Sequence, residues 1–311
     1  MTHWVALSLL FALLVLLLFA PSLRELRRPR DADPLDVNPD YTRDPAYFGE
    51  RFRGLLDAAA RSAGWPDAAA LPVGIHTLTI GQRAEPLTVL DEPTLAVPAG
   101  TVLLRGPARI RRPWRSADEL AVLGDLEVDA PLEVRALYVA GSLRTRAPVR
   151  VDRWVHVEGA MRIGAAADLG VSAFARVGME LAGPIRFYRL FAPDIVVPPT
   201  PVDGADPVIL QPVAADGRGV DLSPTQPTRI AGAVVSDGAV CLRGPVHVLG
   251  HLWAQDRITL LDGVVVGEAG QIRSVLARGG VRFGPGVRVR GFVLTEEPGW
   301  VLEEPGSSSR S

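Results

Sequence analysis

Four of the five histidines, His76, His156, His247 and His251, fall beyond residue 70, in the body of the chain, and their neighbours decide what chemistry is open to them. His247, His251 and Asp256 sit within ten residues, and two imidazoles with a carboxylate are zinc donors, yet the pattern supplies no clear third ligand geometry. His156 lies between Val155 and Val157, and His247 between Val246 and Val248, so on a strand each projects away from its aliphatic neighbours. His251 precedes Leu252 at a corner. The plain expectation for these three is a solvated side chain. A hexapeptide-repeat acyltransferase would need a catalytic histidine, and His156 or His251 would be that residue. Glycan-cleaving β-helices need acids clustered on one face. Asp256 and Asp262, six residues apart, fall instead at successive corners, and Asp125 and Asp129 at corners or strand edges. Cys241, the sole cysteine, lies between Val240 and Leu242 and faces outward; it excludes an internal disulfide and a four-cysteine zinc site. All 33 basic residues are arginine, so Schiff-base and phosphate-loop lysine chemistry is absent. The glycine-rich stretch 279–286 fits tight corners better than a phosphate cradle. No Ser-His-Asp order or dinucleotide fingerprint occurs. We therefore assign no catalytic, metal or cofactor residue, and the reading is non-enzymatic.

The elements that position these side chains are set by a six-residue repeat. Leu120, Leu126, Leu132, Leu137, Leu143, Val149, Val155 and Met161 recur at steps of six, with one step of five. Two residues after each stands Val122, Val128, Val134, Val139, Thr145, Val151, Val157 or Ile163, of which only Thr145 is polar. The pattern returns at Val234, Val240, Val246, Leu252, Ile258 and Val264, and resumes at Val281/Phe283 and Val287/Val289. A helix advances about 240° beyond a full turn in six residues, which would smear this repeat around its surface. An apolar pair at i and i+2 marks a strand with one buried face. The fifth position is Gly124, Gly141, Gly159, Gly238, Gly244 or Gly250, or most often otherwise alanine, residues suited to a tight corner. Three such hexads make one coil of a triangular β solenoid. The expected core is Leu126, Val128, Leu143, Val149, Val157, Val240, Leu242, Val246, Leu252 and Ile258.

The aliphatic-x-aliphatic coils, with steps such as Gly141-Ser142-Leu143-Arg144, Gly159-Ala160-Met161-Arg162 and Gly250-His251-Leu252-Trp253, resemble the bactofilins, bacterial polymer-forming cytoskeletal proteins. The resemblance covers about residues 120–190 and 229–295. It implies a right-handed triangular parallel β-helix that polymerises. The unpaired strand at a solenoid end invites another copy. Val289, Phe292 and Leu294, in the last coil, are the candidate polymer interface.

The flanking segments complete the organisation. Residues 1–23 read as a transmembrane anchor: Trp4 to Leu23 carries no charge, with Leu9, Leu13 and Leu17 in its apolar centre, and about 20 such residues cross a bilayer. Arg24, Arg27 and Arg28 follow, so the body is expected on the cytoplasmic side of the cell inner membrane, single-pass. Residues 24–43 are a basic, proline-containing linker, and 44–63 an amphipathic helix that packs on the β body or lies on the membrane. Residues 71–119 are a lead-in of short strands, 120–192 the first solenoid run, 193–228 a Pro-rich excursion, 229–298 the second run, and 299–311 a disordered tail. Net charge is -2, which gives no footprint for nucleic acid. The partners expected are further copies of the chain, the inner membrane and envelope-building proteins. The competing reading is a monomeric membrane adaptor for those proteins.

Overall fold

Parallel strands that repeat a short aliphatic-x-aliphatic unit bury every second side chain and turn the rest to the outer surface. The computed structural model obeys this rule through most of its length. It describes residues 44–62, 74–80, 83–90, 99–199, 208–211, 213–215 and 219–302. The chain divides into two compact units, and the described elements all belong to the one that spans Pro45–Ser311. Its described residues form a β solenoid of about 11 turns with one helix, α1 (Tyr47–Ser62). The residues expected to anchor the chain, Trp4, Leu9, Leu13, Leu17, Arg24, Arg27 and Arg28, lie outside the described residues. Among the described residues no helix is long and apolar enough to cross a membrane.

Three parallel ladders run along the solenoid. One passes from residues 101–104 to 119–122, 136–139, 154–157, 172–175 and 189–192. Val102 pairs with Leu120 and Leu120 with Leu137, so a coil advances three hexads, or one residue fewer where the repeat takes its step of five. Inside, the ten aliphatic positions assigned to the core are 3% exposed or less. Four polar side chains stand in these columns: Thr145 and Ser236 accept backbone N–H bonds from Gly164 (3.3 Å) and Gly238 (3.1 Å), and Thr228 and Thr295 donate to the Gln226 and Glu297 carbonyls at 3.0 and 2.7 Å, which satisfies hydroxyls that would otherwise be buried at a cost.

The repeat extends further back than the sequence reading placed it. Val102, Ala108 and Trp114 precede Leu120 at the same spacing and form a coil beneath it, within the segment expected to be only a lead-in. Before that coil, β1 (Gly74–Ile80) folds antiparallel onto β2 (Arg83–Leu90), and β2 continues the ladder to residues 101–104. The Pro-rich segment is also shorter than expected. Strand Ile185–Val196 runs through Pro193 at a register shift between Ala192 and Ile195, where no regular ladder bond is asked of the proline. Strands Val208–Leu210, Val213–Ala215 and Val220–Leu222 then make the first coil of the second run.

The two runs meet end to end. The final strand, Arg288–Val301, pairs in parallel with its own run through residues 265–266, 273–277 and 282–283. On its other edge it pairs antiparallel with Ile185–Val196, the last strand of the first run. Val289 faces Ile195, Val293 faces Leu190 and Val301 faces Ile185. Arg288 clamps Asp194 through two bonds of 2.8 and 2.7 Å. A single apolar core therefore continues through both runs. The strand also claims Gly299, Trp300 and Val301, which the sequence reading had placed in a disordered tail. Gly299 is required there, because an added Cβ would lie 2.4 Å from the Phe187 ring.

Leu260 is fully buried in the second run. Leu260→Ala is expected to destabilise that run by about 2–5 kcal/mol, the usual range for a buried leucine whose neighbours cannot collapse. Denaturant titration, read beside amide exchange in residues 240–243 and 281–283, checks both size and locality.

Candidate functional site

α1 lies lengthwise on the outer face of the first run. Its buried residues Phe52, Leu56 and Ala59 pack against Leu78, Leu87, Leu103, Ala121 and Tyr138. Of the two seats offered by its one-sided sequence, α1 takes the β body. The outward side chains of successive coils stack directly above one another, because parallel pairing in register leaves them no other place. The result is an aromatic column in which Tyr138, His156, Phe174 and Phe191 follow at centroid spacings of 5.5, 4.6 and 5.4 Å.

His156 is outward on its strand, as its neighbours require, but it is only 2% exposed. The expectation of a solvated imidazole fails because α1 covers the ring. Gly49 makes the closest approach, and a Cβ there would lie 2.0 Å from Cγ and Nδ1. The ring Nε2 sits 3.1 Å from Glu158, which is also bonded to Arg176, and Arg176 reaches Glu50 of α1 at 3.3 Å. Arg53 of α1 donates to the Tyr138 hydroxyl at 3.0 Å. Burial pushes the His156 imidazole below its ordinary 6.5, against Glu158, which favours the protonated ring. Burial raises Glu158, but Arg176 and His156 outweigh it and hold the carboxyl below its usual 4.5.

The other chemistry-bearing residues are held apart. His247 Nε2 meets the Gly267 carbonyl at 2.9 Å, and His251 Nδ1 lies 2.6 Å from Ser274 Oγ and accepts the Ser274 N–H at 3.0 Å. Among the described residues no three His, Cys, Asp or Glu side chains are grouped to hold a metal. Asp125 accepts the Ser142 N–H at 2.7 Å and braces a corner, Asp129 is bound by Arg146 and Arg109, and Asp262 pairs with Arg243 at 3.7 Å. The Cys241 thiol is half-buried and burial raises it, which disfavours the reactive thiolate.

The solenoid ends are the remaining places where the fold leaves something unfinished. The candidate polymer interface needs correction here. Val289 is fully buried opposite Ile195, Phe292 pairs with Phe191 and Leu294 with Arg189, all in the middle of the molecule. The last coil of the second run offers no free edge, because the last coil of the first run already occupies it. The two true ends differ. At the first run's outer end, Leu90, Val102, Leu104, Ile110 and Trp114 are at most 4% exposed. At the second run's outer end, Val208 is 46% exposed and Leu210, Val213, Ala215 and Leu222 are half-buried; Val208, Leu210 and Leu222 border a hollow of about 400 Å³ whose rim also carries Asp221 and Thr228. One coil inward, Ile230, Val234, Val240 and Leu242 are sealed. The signal for this open coil was present in the sequence as three more aliphatic-x-aliphatic pairs, spaced irregularly among prolines.

Gly49→Leu is expected to expel α1 from its seat, raising amide exchange across residues 47–62 while the β-sheet circular dichroism persists. The pH response has a definite sign. A base depressed in the folded state binds fewer protons there than in the unfolded chain, so its contribution to stability is complete above 6.5 and is lost as pH falls below that value. Glu158 weakens the structure only below its usual 4.5. Protection factors in α1, which are exchange rates corrected for the intrinsic pH dependence, should therefore fall between pH 7 and 5 in the parent chain and stay constant over that interval in His156→Phe. Compared with known proteins, the chain matches no family model, no curated protein and no solved structure.

Proposed function

We propose that this protein is a non-enzymatic scaffold with bactofilin-like coils, anchored in the inner membrane by residues 1–23, that self-associates end to end through its solenoid. In this reading the coils wind right-handed in a triangular section, and the body lies on the cytoplasmic side, where Arg24, Arg27 and Arg28 hold the chain. The observation that carries the proposal is the joint between the two runs. There, two coil ends of this same chain pair antiparallel, bring inward side chain against inward side chain, and continue one core. Coil ends of this sequence thus carry the chemistry for end-to-end association, and among the described residues one such end stands open. The burial of His156 beneath α1 supports the non-enzymatic reading, since a general base must reach its substrate.

Two differently tagged full-length copies, co-expressed in a bacterium, provide the test. Both are expected in the membrane fraction, and capture of one from detergent extracts should recover the other. Deletion of residues 1–23 should move the protein to the soluble fraction. Recovery of single copies alone would leave the adaptor reading in place of the scaffold, and a truncated protein that stays with membranes would remove the anchor.

A further inference from the structure

The open coil of the second run is an edge with both a hydrogen-bonding pattern and an apolar lumen. Val208 donates to the Pro227 carbonyl at 2.7 Å and Leu210 accepts from Ala231 at 2.9 Å. Val213 donates to Ala233 at 3.1 Å and Ala215 accepts from Asp237 at 3.3 Å, while Val220 donates to Ala239 at 2.8 Å. Successive residues of a strand aim their N–H and C=O groups to opposite sides. Ile209, Ala214 and Asp221 therefore direct theirs outward, away from the coil behind. Among the described residues these three strands pair on one side only. Ile209 is 66% exposed, and Asp221 is the one charged side chain among the described residues of the coil.

We infer that the protein self-associates as a closed pair, in which the open coils of two copies, strands Val208–Leu210, Val213–Ala215 and Val220–Leu222, meet across a two-fold axis and extend one solenoid through both. This rests on the end-to-end reading above and names its contact and its limit. A two-fold axis across the solenoid makes facing strands antiparallel, which is the arrangement already seen between Ile185–Val196 and Arg288–Val301. One of the three strands meets its own counterpart and the other two exchange. Val208, Leu210, Val213 and Leu222 then gain the cover that Ile230, Val234 and Leu242 have one coil inward. A near-neutral edge of this kind suits a second copy better than a charged partner.

The pair is closed because, among the described residues, no second contact of this type remains. The inner edges of both runs are consumed by the joint. The outer end of the first run is filled by Trp114, and its short edge strands Ala108–Ile110 and Trp114–Arg115 are bordered by exposed Arg111 and Arg112. Arginines that face their own copies oppose stacking there. A filament needs two ends that associate, and the described residues leave one, which favours a dimer.

The mass of the protein part of the detergent-solubilised full chain, measured by light scattering after size exclusion, tests this. The expected value is two copies at micromolar concentration. Ala214→Pro removes an outward N–H while the bonds of Val213 and Ala215 to the next coil are kept, and Val208→Asp charges the open lumen. Each should halve the mass, with the circular dichroism spectrum and melting temperature of the parent showing that the body stays folded. Species larger than two that the same variants dissolve would keep end-to-end association and overturn the two-copy limit. A monomeric parent, or a dimer indifferent to both variants, would overturn the inference at its root.

Discussion

Parallel stacking in register is the constraint on which this structure depends. Once residue 102 lies under 120, and 120 under 137, every side chain is committed to a column of equivalents above and below it. Inward columns must be aliphatic, since a lone polar group inside has only a nearby corner to bond with, its own for Ser236 and that of the next coil for Thr145. Outward columns must tolerate their own kind at strand spacing. The chain meets this by stacking rings, or by setting arginine over carboxylate: Arg115 over Glu133, Arg186 by Asp168 and Arg162 by Glu180. Exposed pairs of this sort add little stability. They prevent like charges from stacking, which would oppose the register.

The same constraint makes the ends of a solenoid its difficult places. A coil in register always finishes in a row of unpaired backbone groups above an apolar lumen. The chain answers in three ways. A hairpin, a tryptophan and a border of arginines close the first end. Antiparallel pairing of the two runs closes the inner pair of ends against each other. The outer end of the second run is left with Val208 and Ile209 toward solvent. A molecule that spends its glycines on corners and its aliphatics on columns has little left with which to build a pocket.

α1 shows how a face is covered. The column from Leu103 to His156 is an apolar strip on the outside of a sheet, and an amphipathic helix is the usual cover for such a strip. Its seat is specified at one point by the absence of a side chain: Gly49 lets the helix backbone rest on the His156 ring. A titratable ring at that contact links the helix to pH in a way that an aliphatic residue would not.

Period alone determined a great deal. The aliphatic-x-aliphatic hexads required strands with one buried face, and the core positions, the coil of three hexads, the outward projection of His156 and Cys241 and the helix near 44–63 follow from residues close together in the chain. What lay beyond the sequence were the pairings between distant segments. Pairs such as Val208/Leu210 and Val213/Ala215 were obscured by prolines, and they join the solenoid only because the coil at 228–242 offers them an edge. Nothing local states that Phe292 will meet Phe191 or Val289 will meet Ile195, nor that a helix will bury an outward histidine. Any coil end has the same unpaired backbone, so which ends are closed, joined or left open is decided by which segments arrive there, and that is a property of the tertiary structure alone.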